Sequence, residues 1–233
     1  GNKTAQGNQD SGGVGDFYYT PPSGFKALCT KNLPAPAITP SEYFDTVLYT
    51  GDSSVQSITS LGFQPDFTWI KERSDTAPHQ LFDVIRGVTK NIACSANSAE
   101  TTNDDTLTHF LSNGFTTGAD NRTNSNNETY VAWNWKAGGS GSSITTGSIN
   151  STVSANTDAG FSIVSYTGNA TSGATVGHGL SSTPELIILK NRDSVTDWDV
   201  FHTSTGATKF LRLNTTAAES TNSAIWNDTA PTS

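Results

Sequence analysis

Apolar and polar residues in this 233-residue chain alternate in short bursts bounded by Gly, Asn and Asp. No stretch holds a helical period across the window of about eleven residues that an amphipathic helix needs. From residue 41 the bursts read "YFDTVLYT", "VQSITS", "DFTWIKE", "QLFDV", "NIACS", "LTHFLS", "GFTTG" and "TYVAWNWKA". In the last, Val131, Trp133 and Trp135 fall on one face and Tyr130, Ala132, Asn134 and Lys136 on the other, as the two-residue strand period requires. The tryptophans of this strand, with Trp69, are expected in the core. Short strands separated by turn residues predict an all-β protein built as antiparallel sandwiches of jelly-roll type.

The pattern is written twice. Pro65, Lys71, Arg73, Phe82, Gly87 and Glu100 recur as Pro184, Lys190, Arg192, Phe201, Gly206 and Glu219, each 119 residues later. Phe44, Tyr49 and Gly51 recur as Phe161, Tyr166 and Gly168 at a separation of 117. A period of roughly 120 residues exceeds any solenoid unit and fits a whole domain in tandem. The first copy is expected over 41–139 and the second over 161–233, the second without counterparts of "GFTTG" and "TYVAWNWKA".

Between the copies, residues 140–160 are rich in Gly, Ser and Thr and read as a flexible linker. Residues 32–40 carry Pro34, Pro36 and Pro40 and read as an extended linker. Before it, "DFYYT" and "FKALCT" within residues 1–31 read as strands closing a preceding sandwich. A sandwich lacking two strands exposes sheet edges. Either the true polypeptide is longer at both ends, or strands of one subunit complete the next. The absence of Met in a chain opening at Gly1 favours an excerpt.

Composition narrows the partners. Only 33% of residues are hydrophobic, but the 15% charged fraction is too low for a disordered chain. The net charge of −8 repels phosphates and argues against nucleic acid. The apolar runs are too short for membrane insertion. Cys29 and Cys94 occupy non-equivalent places in the repeat and read as buried free thiols.

"YYTPPSGFKALCTKNLPAP" (18–36) resembles the segment that closes a SPRY-like, concanavalin-type sandwich in bacteriophage tail-fibre-like and related virion proteins, many of marine phages. "ETYVAWNWKAGG" (128–139), "GFQPDFTWIKERS" and "LFDVIRGVTK" resemble the repeated sandwich domains that follow it. The resemblance implies a virion-surface or extracellular appendage protein, structural and host-adhesive. Its partners would be further copies of itself, neighbouring appendage proteins and host surface glycans. The alternatives are an extracellular filament subunit polymerising by strand donation and, more remotely, a glycan-cleaving enzyme.

No catalytic motif joins the polar residues. His79, His109, His178 and His202 lack zinc-site spacing and no G-x-S-x-G elbow occurs, so neither an enzyme nor a cofactor is expected. Trp198, flanked by Asp197 and Asp199, combines an apolar face with acceptors and is the candidate glycan platform; the competing reading is a core tryptophan. Asp120, Asn124, Asn126 and Glu128 scatter oxygen ligands for a weak Ca²⁺ candidate, against an ordinary polar hairpin loop.

Overall fold

The computed structural model describes residues 3–33 and 38–233. The chain is all-β with antiparallel sheets and divides into two compact units, Gly1–Ala37 and Ile38–Ser233.

The first unit forms no strand among its described residues, which corrects the strands expected at "DFYYT" and "FKALCT". Only an isolated bridge joins Asn8 to Phe17. Pro21 and Pro22 offer no ladder donors, and one carboxylate gathers the donors around it. Asp10 Oδ1 accepts from the backbone N–H of Gly12 and Val14 at 2.8 and 3.0 Å. Its Oδ2 accepts from Ala27 N–H and Asn32 Nδ2 at 2.6 and 2.7 Å. These bonds, that from Ala27 foremost, hold the Asp10 pKa down at about 2. The proline-rich linker lies in part, at residues 34–37, outside the described residues.

In the second unit, β1 (Phe44–Thr50), β2 (Gln56–Ile58), β3 (Phe67–Glu72), β4 (Gln80–Asp83), β5 (Lys90–Ala93), β6 (Thr101–Thr102), β7 (Leu107–Leu111), β8 (Gly114–Thr117) and β9 (Thr129–Trp135) make the first copy. They form a six-stranded sheet in the order β1-β9-β3-β4-β5-β6 and a three-stranded sheet in the order β2-β8-β7. The one-turn helix α1 (Asn121–Asn124) precedes β9. Val47, Ile70, Phe82, Tyr130 and Ala132 of the large sheet pack against Ile58, Leu107 and Phe115 of the small one. The result is a sandwich with its core between the two sheets.

The core face of β9 is Tyr130, Ala132 and Asn134, each fully buried, whereas Trp133 and Trp135 lie half-buried on the outer face. The alternation was legible, but the tryptophans occupy the opposite face from the one expected. Asn134 is tolerated inside because its Oδ1 accepts from Thr68 Oγ1 at 3.0 Å and its Nδ2 donates to Ala132 O at 3.0 Å. Strand β4 is buried on both faces. Phe82 points to the sandwich core, and Leu81 joins a second cluster outside it.

After β10 (Ser142–Ile144) and β11 (Ser151–Asn156), the second copy follows as β12 (Phe161–Tyr166), β13 (Leu186–Leu189), β14 (Asp199–His202), β15 (Lys209–Arg212), β16 (Ser220–Thr221) and the short helix α2 (Ser223–Trp226). The order β13-β14-β15-β16 repeats β3-β4-β5-β6, and Leu186 pairs with His202 as Phe67 pairs with Asp83. Loop hydrogen bonds recur at the same 119-residue spacing. Val84 N–H donates to Asp66 O as Thr203 N–H does to Glu185 O, Cys94 N–H to His79 O as Leu213 N–H to Trp198 O, and Asn103 N–H to Thr89 O as Asn222 N–H to Thr208 O.

The stretch 140–160, expected as a flexible linker, instead supplies β10 and β11, which pair with each other and with β12. Val153 and Ser154 are buried, and the Ser154 hydroxyl accepts from Gly138 N–H and donates to Gly139 O. A Cβ on Gly138 would stand 2.5 Å from Ala155 O, so only glycine lets the two segments approach.

Candidate functional site

A set of buried aromatic and charged residues lies where the second copy meets the outer face of the first copy's large sheet. Trp198, in the loop before β14, is 6% exposed and packs with Leu81, Ile92 and Cys94, flanked by Phe67 and Trp69. Its indole N–H is shared between Ala93 O and Ala96 O, both at 3.1 Å. A glycan platform must present its ring face to solvent, so the platform reading of Trp198 is corrected: the ring is an anchor between the copies. Burial there also pushes the Cys94 thiol up to about 12. Both cysteines are unpaired, but Cys29 is only half-buried.

The neighbouring carboxylates serve the same loop. Asp197 accepts from Asn214 Nδ2 at 2.8 Å and pairs with Arg212. Asn214 Oδ1 in turn accepts from Trp198 N–H at 2.9 Å. Asp199 lies in β14, its pKa raised by burial and its Oδ1 buried without a protein partner. Asp197 and Asp199 therefore do not converge with an exposed Trp198 on one binding face.

Beside the tryptophan, charges bridge the copies. Arg192 donates from Nε and Nη2 to the two oxygens of Glu100 at 3.0 and 2.9 Å, and Arg192 O accepts from Glu100 N–H at 2.8 Å. Arg86, itself paired with Asp83, donates to Glu100 Oε2 at 3.1 Å. Arg192 Nη1 reaches on to Ser165 Oγ in β12 at 3.1 Å. Burial alone would raise the Glu100 pKa; the hydrogen bonds and charges of Arg192 and Arg86 outweigh it and hold the carboxyl below its ordinary value. Aromatic contact completes the joint, with Phe161 stacked on Trp135 at 6.0 Å.

Next to the joint opens a cleft of about 1830 Å³, lined by Phe67, Trp69 and Trp135 of the first copy and by β12, β13 and Trp226 of the second. It exceeds the roughly 300–1,000 Å³ of small-ligand pockets. Leu186 and Ile188 of β13 are 55% and 41% exposed, although their counterparts Phe67 and Trp69 are half-buried.

Two of the four Ca²⁺ candidates, Asp120 and Asn124, are otherwise engaged. Asp120 caps α1 and pairs with Arg122 at 2.9 Å. Asn124 is fully buried, its amide donating to Ser54 O and Gly118 O and its oxygen accepting from Asp52 N–H. Asn126 is exposed and Glu128 half-buried. Among the described residues no cluster of three metal-ligating side chains occurs. The histidines are dispersed: His79 Nδ1 accepts from Trp69 Nε1 at 2.8 Å and His178 Nε2 bonds Thr232 O at 2.9 Å. Glu100 and Arg192 stand out in the sequence as members of the repeat, but their pairing across it has no signal there.

Residues 39–233 match the family model described as a domain of unknown function, DUF7483. No curated protein and no solved structure matches the chain. No helix among the described residues is long and apolar enough to cross a membrane.

Proposed function

The chain belongs to the DUF7483 family, and from the joint between its two copies we propose that it is a structural and adhesive segment of a phage virion appendage. The observation that carries this reading is Trp198 of one copy lodged in the outer face of the other, locked by Arg192 on Glu100. A flexible tether would leave each sandwich to reorient. A joint with a buried aromatic anchor and a paired charge network transmits force and fixes spacing instead. That is what an extended fibre requires of its repeating parts, and repeated domains at fixed spacing multiply weak host contacts through effective concentration. The sequence resemblance to tail-fibre-like proteins supports the same assignment. The role is mechanical and adhesive, with neighbouring appendage proteins and host glycans as partners on the particle surface.

Mass spectrometry of gradient-purified virions tests the assignment. Peptides of this chain should band with the particles, and the purified chain on beads should retain host cells. Recovery only from the unassembled soluble fraction, with no cell retention, would contradict it.

A further inference from the structure

In the first copy β9 lies between β1 and β3 and pairs antiparallel with both. In the second copy the counterparts of those two strands, β12 and β13, are not hydrogen-bonded neighbours, and among the described residues no strand lies between them. Each is paired along one edge only, β12 with β11 and β13 with β14. At the ordinary strand spacing of about 4.8 Å, one absent strand leaves a gap near 10 Å. The cleft lies there, with both strands in its walls.

We propose that this slot is an acceptor for one polypeptide strand with the pattern of β9, "TYVAWNWKA", inserted antiparallel to both β12 and β13. The first copy supplies the register. Ala132 lies between Val47 and Ile70, and Trp133 between Thr46 and Trp69. Carried over by the 117- and 119-residue offsets, the strand's Ala132 position falls between Val164 and Leu189, and its Trp133 position between Ile163 and Ile188. Its Trp135 position falls between Phe161 and Leu186.

Both faces of such a strand find apolar ground. Toward the second copy's own core stand Phe201 and Trp226, with rings 5.9 Å apart, at the positions of Phe82 and Leu107 in the first core. Phe67, Trp69 and Trp135 of the first copy line the same cleft. The backbone groups along two facing strand edges would be paired by one insertion. Exposed Leu186 and Ile188 would be covered by it. This inference does not depend on the appendage assignment, since it follows from the repeat and the slot alone.

The test uses the full 233-residue chain and a synthetic peptide of residues 128–139, "ETYVAWNWKAGG", followed by calorimetric titration and amide hydrogen exchange. Saturable one-to-one binding is expected, with slowed exchange in 161–166 and 186–189 and with Ala132→Asp in the peptide weakening binding at least tenfold. A fusion carrying the same segment on a flexible tether after Ser233 should melt at a higher temperature than the chain alone, and the Ala132→Asp fusion should not. Absence of binding together with an unshifted fusion would overturn the proposal. So would preferential binding of a peptide of residues 16–30, slot amides already protected in the chain alone, self-association insensitive to the peptide, or occupation by a glycan in the peptide's place.

Discussion

Arg192 of the second copy grips both carboxylate oxygens of Glu100 in the first, at 3.0 and 2.9 Å, while Arg86 holds one of the same oxygens at 3.1 Å. Arg86 and Glu100 are largely shielded from water, whereas the Arg192 side chain is 39% exposed. Breaking the group from the Glu100 side therefore costs more than an ordinary surface pair. Glu100→Gln is expected to lower stability by about 1–3 kcal/mol. Arg192→Lys keeps the charge but loses the two-pronged geometry and should fall between it and wild type. Urea unfolding at neutral pH measures both.

The same group has a pH signature. The Glu100 carboxyl is depressed in the folded state, so its stabilisation is present above the unfolded value of about 4.3 and is lost as pH falls through the lower folded value. Stability should therefore drop less steeply below pH 4.3 in Glu100→Gln than in wild type. Parallel slopes in the two proteins would show that the carboxylate is not coupled to the joint.

Trp198→Ala empties the anchor site between the copies and should cost about 3–5 kcal/mol. Trp198→Phe retains part of the packing but leaves Ala93 O and Ala96 O without the indole donor, so a smaller loss is expected. Equilibrium unfolding reads both variants. A Trp198→Ala protein of wild-type stability that had lost glycan binding would restore the platform reading.

These outcomes mark how far the sequence could be read. The duplication was legible because identical residues at a spacing of 119 do the same local work: Gly87 and Gly206 both adopt positive φ, and their N–H groups bond Asp83 O and His202 O. The alternation of β9 was legible as well, but not which face was inner. Ala132 and Asn134 face the core, and Trp135 on the outer face is covered by Phe161 of the second copy, a tertiary contact that leaves no local trace. Residues 151–156 were hidden by composition, since Ser, Thr and Asn there sit in a strand that buries only Val153, Ser151 and Ser154. Trp198 misled because its counterpart is His79, and a residue unique to one copy reads as a surface specialisation when it is the contact between copies.

In the first unit Asp10 replaces a strand ladder as the organising group. Its pKa of about 2 lies below the unfolded value of about 3.9, so the stabilisation is complete above that value and fades as pH falls toward 2. Asp10→Asn removes the charge and part of the acceptor capacity, and amide exchange at Gly12, Val14 and Ala27 should accelerate at neutral pH. Unchanged exchange at all three would show that the carboxylate does not organise this unit.

Trp198, Glu100 and Arg192 join the two copies into one body. The direct measurement is the distance between spin labels at Thr102 and Thr221, exposed and equivalent positions in the two copies, with Cys29 and Cys94 replaced by Ser and Ala. A fixed joint gives a single narrow distance distribution that broadens on Trp198→Ala. A distribution already broad in the otherwise unaltered chain, and indifferent to Trp198→Ala, would mean that the copies are tethered rather than joined.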